Sequence, residues 1–147
     1  MNRIIDLDNQ TSLNVDIDAL EEIAQSLTDR ETELIITDNK NIQELNKEYR
    51  DKDAPTDVLS FPMETPFGEQ SVFKMPLGSI IISADYVKEK ADAFSHGEQD
   101  ELKLLFIHGL LHLLGYDHEE DYGEMRQKEK ETIEKFGLPS SLIVRND

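Results

Sequence analysis

Three of the chain's four histidines fall within one eleven-residue stretch, His108-Gly-Leu-Leu-His112-Leu-Leu-Gly115-Tyr-Asp-His118. Residues four apart stack on one face of a helix, so His108 and His112 can present their Nε2 atoms to a common centre. Gly115 accepts the left-handed backbone that stops a helix. A chain turning there can bring His118 back to the same centre. Three neutral imidazoles form an open tripod whose fourth position is left for water, the arrangement of a catalytic zinc rather than a closed structural one. His108, His112 and His118 are therefore candidate ligands for one Zn2+ per chain. Imidazole sites follow the Irving–Williams order, so Ni2+ or another divalent transition ion also suits this donor set.

The stretch from Leu102 to Leu114 has nine large apolar residues in thirteen, spread around most of the helical wheel, which predicts a largely buried helix. It is too short to span a bilayer, which takes about 20 apolar residues. Histidines in such a helix need partners for their ring nitrogens. Carbonyl groups would serve for ordinary core histidines, while a metal with outer acceptors serves both rings at once, and the triple spacing favours the metal. Gly109 costs about 1 kcal/mol relative to alanine at mid-helix, so something is expected to approach the backbone there. The same glycine restricts the chemistry. The offsets match the zinc-peptidase pattern H-E-x-x-H-x-x-G-x-x-H, but Gly109 stands where that pattern has the glutamate that activates water. A zinc peptidase is thereby left as a weak alternative. Hydrolysis in which the metal does more of the work, including at a phosphoryl oxygen, stays open.

The chain has 147 residues, 37% hydrophobic and 32% charged, which fits a single soluble domain spanning 1–147. With no cysteine there is neither a disulfide framework nor a thiolate ligand, so any metal is held by nitrogen and oxygen. No segment reads as a signal peptide or membrane span, and a cytoplasmic location is expected. A net charge of −17 argues against nonspecific binding to nucleic acid or membranes. The charge is unevenly spread: Lys40 to Lys52 has a local balance of +1, from Lys40, Lys47, Arg50 and Lys52 against Glu44, Glu48 and Asp51, whereas Asp117 to Glu124 holds five acids and no base.

The elements that must position these residues alternate along the chain. Strands are expected at Arg3–Leu7, Leu34–Thr37, Val58–Phe61, where Pro62 would stop the strand, and Leu77–Ser83, whose Ile80-Ile81-Ile82 run reads as fully buried. Ile17, Leu20, Ala24 and Leu27 mark one helix face, with Asp18 and Glu21 as its expected capping box. A second helix is expected from Asn39 to Tyr49, with Ile42, Leu45 and Tyr49 inward. A third, capped by Ser83, carries Ala84, Val87, Ala91 and Phe94. An amphipathic helix from about Asp121 to Phe136, ended by Gly137 and Pro139, follows the histidine helix. Pro62 to Pro76 has three prolines and Gly68, and reads as a lid or hairpin bordering the metal. His96 belongs to an exposed linker outside the metal shell. Tyr116 and Asp117 read as turn residues or residues around the metal, and Asp117 could orient a histidine.

Two motifs together resemble the YbeY-type bacterial rRNA endoribonucleases and maturation factors. The first is His108 to His118, similar to that family's H-G-x-L-H-L-x-G-Y-D-H. The second is Glu44-Leu-Asn46-Lys-Glu-Tyr49-Arg50-Asp-Lys-Asp53-Ala-Pro-Thr56-Asp57-Val-Leu-Ser60-Phe61, similar to L-N-x-x-Y-R followed by T-D-V-L-S-F. The resemblance implies an α+β domain in which a small mixed sheet of about four strands packs with about five helices, its metal site at the C-terminal end of a buried helix. It also implies a zinc held by His108, His112 and His118, and cytoplasmic cleavage of single-stranded RNA in 16S rRNA 3′ end maturation and ribosome quality control. The partners it implies are rRNA and the ribosome or ribosomal proteins, with no membrane or DNA partner expected. Arg50 matches the arginine implicated in cleavage. An arginine fork suits two phosphate oxygens, although a surface ion pair with Asp51, Asp53 or Asp57 would also occupy it. Ser79 departs from the family, many of whose members are acidic there. From a different class, the acidic surface suits a ribosome-associated assembly factor whose zinc is mainly structural.

Overall fold

In the computed structural model, which describes residues 3–63, 76–93, 97–116 and 123–138, four strands form one mixed sheet in the order β1-β2-β4-β3. They are β1 (Ile5–Asn9), β2 (Thr32–Thr37), β3 (Val58–Pro62) and β4 (Gly78–Ser83). The first, second and fourth run parallel, while β3 pairs antiparallel with β4, from Val58 opposite Ile82 to Pro62 opposite Gly78. Five helices accompany them: α1 (Ile17–Leu27), α2 (Asn39–Arg50), α3 (Ala84–Ala93), α4 (Glu98–Leu113) and α5 (Glu124–Lys135). The α+β class and the small mixed sheet agree with expectation.

Alternation along the strands divides the core in two. Leu34, Ile36, Ile80 and Ile82 join α1, α3, α4 and α5 in the main cluster, whereas Ile35, Leu59, Ile81 and Phe61 meet Ile42 and Leu45 of α2 on the other face. This two-sided cover explains the unbroken Ile80-Ile81-Ile82 run. α4 is the central helix of the thick layer. Leu102, Leu104, Phe106, Ile107, Leu110 and Leu111 are all buried along it.

Several boundaries differ from the sequence expectations, each for a local reason. β1 begins at Ile5 rather than Arg3, because the Glu21 carboxylate accepts hydrogen bonds from the amides of Ile4 (3.0 Å) and Ile5 (2.8 Å). Glu21 is therefore buried and belongs to no capping box. Asp16 caps α1 instead, accepting from the amide of Ala19. Pro62 continues β3 rather than stopping it, which an edge strand tolerates because one row of its amides has no partner strand to serve. Tyr49, expected inward, is exposed and lies edge-on to Phe61, with ring centroids 5.3 Å apart. Ser83 does cap α3, its Oγ accepting from the amide of Tyr86. The lid proposed between Pro62 and Pro76 falls almost wholly outside the described residues, as do Phe94, His96, Asp117 and Pro139.

Candidate metal centre

α4 carries the first two histidines on the stripe that turns away from its most apolar side. Their Nε2 atoms converge to 3.2 Å. Two ligands on one tetrahedral zinc, each with a metal–nitrogen bond of about 2.0–2.1 Å, stand about 3.3 Å apart, so the pair fits a shared ion with little movement. His108 is tied down from behind. Its Nδ1 lies 2.6 Å from Oε1 of Glu129 on α5, and a carboxylate accepts, so this contact favours the tautomer with the hydrogen on Nδ1, the one whose Nε2 lone pair faces His112.

Glu129 is the residue that sequence reasoning missed, having looked to Asp117 for that role. It lies among the charges of Arg126-Gln-Lys-Glu-Lys-Glu, where a glutamate is unremarkable by composition. Its signal was positional: Met125, Glu129, Thr132 and Ile133 form the buried stripe of α5 at helical spacing. Glu129 is only 2% exposed, and its Oε2 has no hydrogen-bond partner among the described residues.

The end of α4 is built as the spacing of Gly115 predicted. The Gly115 amide donates to His112 O and the Tyr116 amide to Leu111 O, both at 3.0 Å, while Gly115 takes φ +102°. This paired closure needs a left-handed residue just past the helix. Tyr116 accordingly serves the turn and packs on the core. His118 lies outside the described residues. Among the described residues, no group of three or more His, Asp or Glu side chains gathers as a metal site, so the pair with Glu129 behind it is the part of the centre on view.

Gly109 faces the sheet. A Cβ built there would stand 2.9 Å from Ile80 Cγ2, 3.1 Å from Ser60 Oγ and 3.3 Å from Val58 Cγ2, and the Ser60 hydroxyl donates to Gly109 O at 3.1 Å. The close approach expected from the sequence is thus the β3–β4 surface. It also means that a glutamate at this position would point into the sheet, away from the histidine pair, which removes the remaining geometric support for a peptidase of the H-E-x-x-H kind.

Arg50 ends α2, on the layer across the sheet from α4. Its side chain is exposed. Among the described residues it has no ion-pair partner; Lys47 is the residue that reaches Asp53, at 3.9 Å. The loop from Arg50 to Val58 is held along α2, with Asn46 Nδ2 donating to Ala54 O at 2.8 Å and Gln43 Nε2 to Asp53 Oδ1 at 3.0 Å. The structure does not bring Arg50 against His108 and His112. What the two sides share is β3, the edge strand: Gly109 of α4 rests on Val58 and Ser60 from one face, and Tyr49, next to Arg50, meets Phe61 from the other. Ser79 is on the α2 side of β4, where its Oγ donates to Glu33 Oε1 at 2.8 Å. Its departure from the acidic pattern therefore leaves the histidine pair untouched, and an acid there would face Glu33.

Comparison with known proteins agrees with the motifs. The family model described as endoribonuclease YbeY matches residues 4–137. The chain is 78% identical over its full 147 residues, and over all of the relative, to a protein from Sulfurovum sp. (strain NBC37-1) named endoribonuclease YbeY. It is 60% identical to one of the same name from Aliarcobacter butzleri, covering 97% of this chain and 99% of that protein. It is also similar to a solution structure of a Thermotoga maritima protein, with a TM-score of 0.55 and 36% identity over 81% of this chain and 77% of the other. A family model spanning nearly the whole chain and relatives of this identity leave one assignment: the chain belongs to the endoribonuclease YbeY family of hydrolases.

Proposed function

We propose that this protein is a zinc-dependent endoribonuclease that cleaves single-stranded RNA, with His108, His112 and His118 as the ligands of one Zn2+. The observation that carries the reading is the 3.2 Å convergence of two Nε2 atoms backed by a buried carboxylate, within a family named for RNA cleavage. When bound, the ion supplies Lewis-acid stabilisation to the phosphate under attack. The chain's own residues do the rest. Glu129 and the closure at Gly115 hold the imidazoles, and Arg50, on the other face of the sheet, would hold a phosphate further along the same RNA strand. An RNA strand touching both Arg50 and the histidines would pass around the edge of the sheet, because α2 and α4 cover its opposite faces. Single strands, unlike a duplex, can bend that sharply.

We place its action in 16S rRNA 3′ end maturation and ribosome quality control in the cytoplasm, with the ribosome or its proteins as partners. Among the described residues no helix is long and apolar enough to cross a membrane. A charge of −17 suits basic ribosomal proteins better than naked RNA, which favours targeting by protein contact and motivates the second reading, an assembly factor with a mainly structural zinc.

The test is incubation of zinc-loaded protein with single-stranded rRNA fragments, alongside His112→Ala and Arg50→Ala. Cleavage lost in the first and strongly reduced in the second is expected. Equal cleavage by all three would assign the activity to a contaminating nuclease.

A further inference from the structure

We infer that Glu129 is a positioning residue of the metal centre, acting through His108; this rests on the reading of His108 and His112 as metal ligands. The geometry is specific. Oε1 stands 2.6 Å from Nδ1, on the side of the ring opposite the converging Nε2 atoms, so Glu129 reaches His108 but not the position of the ion. It thus does not replace the glutamate absent at position 109. A carboxylate on Nδ1 fixes the ring's tautomer and rotation, and makes Nε2 a stronger donor to a metal.

Burial supports the assignment. A carboxylate that is 2% exposed, with Oε2 lacking a hydrogen-bond partner among the described residues, destabilises the fold relative to a leucine or methionine on the same stripe. Nothing in the packing of α5 requires it, because Met125, Thr132 and Ile133 fill the rest of that face. Among the described residues, the hydrogen bond its carboxylate makes is to His108. A buried carboxylate that weakens the core and whose hydrogen bond goes to a ligand belongs to the site.

Three variants separate the role from a structural one. Glu129→Gln keeps shape and an acceptor oxygen but removes the charge; Glu129→Leu keeps bulk and removes the acceptor; Glu129→Asp restores the charge on a shorter stem. Zinc affinity is measured by competition with a chromophoric chelator, and the ion-free proteins are melted in parallel. The expected loss of affinity is about 10–100-fold for Gln, with a larger loss for Leu and partial rescue by Asp. The ion-free Leu variant should melt no lower than the Gln variant. Wild-type affinity in both Gln and Leu variants overturns the inference while leaving the ligand reading intact. Failure of the wild-type protein itself to bind zinc overturns the ligand reading instead, and this inference with it. Should a variant fail to fold, nitrogen NMR of the ion-free wild-type protein decides: a hydrogen on Nδ1 of His108 supports the role, and one on Nε2 alone refutes it.

Discussion

Gly109→Ala adds one methyl group at the point where the histidine helix touches the sheet, and its cost can be worked from the contacts. The new Cβ would lie 2.9 Å from Ile80 Cγ2. Favourable carbon contacts begin near 3.5 Å, so the two surfaces must part by about 0.6 Å. Ile80 has little room to yield: it is fully buried at mid-strand in β4, and its β-branched side chain is restricted at χ1. Ser60, at 3.1 Å, would also be pushed off the Gly109 carbonyl that it now bonds. Overpacking of this kind costs about 1–3 kcal/mol and a loosened hydrogen bond adds about 0.5–1 kcal/mol, against a gain of about 1 kcal/mol from replacing glycine in a helix. The net is a loss of about 0.5–3 kcal/mol. For a chain of this size that is a fall in Tm of about 2–10 °C, read by calorimetry on ion-free protein. An unchanged or raised Tm would show that helix propensity outweighs the contact, and the account of Gly109 as a close-approach residue would be wrong. Gly109→Glu, which completes the peptidase pattern, should cost more than about 4 kcal/mol by driving a carboxylate into Ile80 and Val58. The expected result is unfolded protein, not a peptidase.

Other consequences are as direct. Glu21→Ala strips the acceptor from the part-buried amide of Ile4 and the buried amide of Ile5 and should lower stability by about 2–3 kcal/mol in urea denaturation; a change under about 0.5 kcal/mol would mean that the strand start re-pairs elsewhere. Asn46→Ala removes the bond to Ala54 O and should cost about 1 kcal/mol, with faster amide exchange between Asp51 and Asp57 and weaker RNA cleavage if that loop holds Arg50 in place. Chelation should leave far-UV dichroism intact, because α4 is anchored by Leu102, Phe106 and Leu110 rather than by the ion, while melting falls by the binding linkage. Collapse on chelation would instead make the zinc structural.

Much of the site was readable because it depends on local spacing. His108 and His112 at four residues, Gly115 as the helix stop and Gly109 as a contact point all follow from helical geometry, and each has its counterpart in the fold. The two-sided cover of β4 was also legible, since the run Ile80-Ile81-Ile82 demands it, while the mixed sheet came from the family resemblance. Long-range features were hidden. Glu129 meets His108 from a helix 21 positions away, and nothing in a charged segment shows which glutamate turns inward until α5 is seen packed. Glu21 was read as a cap because its spacing from Asp18 fits one, whereas the free amides at the start of β1 claimed it first. The layer assignment of Arg50 depended on which face of the sheet α2 covers, and strand order, not sequence, decides that.

The central claim is that three imidazoles hold one zinc in an open site. X-ray absorption at the zinc edge, on protein loaded with one equivalent, tests it most directly. The account predicts three imidazole nitrogens at about 2.0–2.1 Å with a further light atom, and loss of one imidazole in each of His108→Ala, His112→Ala and His118→Ala. Zinc bound through carboxylate oxygens alone, or a spectrum unchanged by those substitutions, would contradict it.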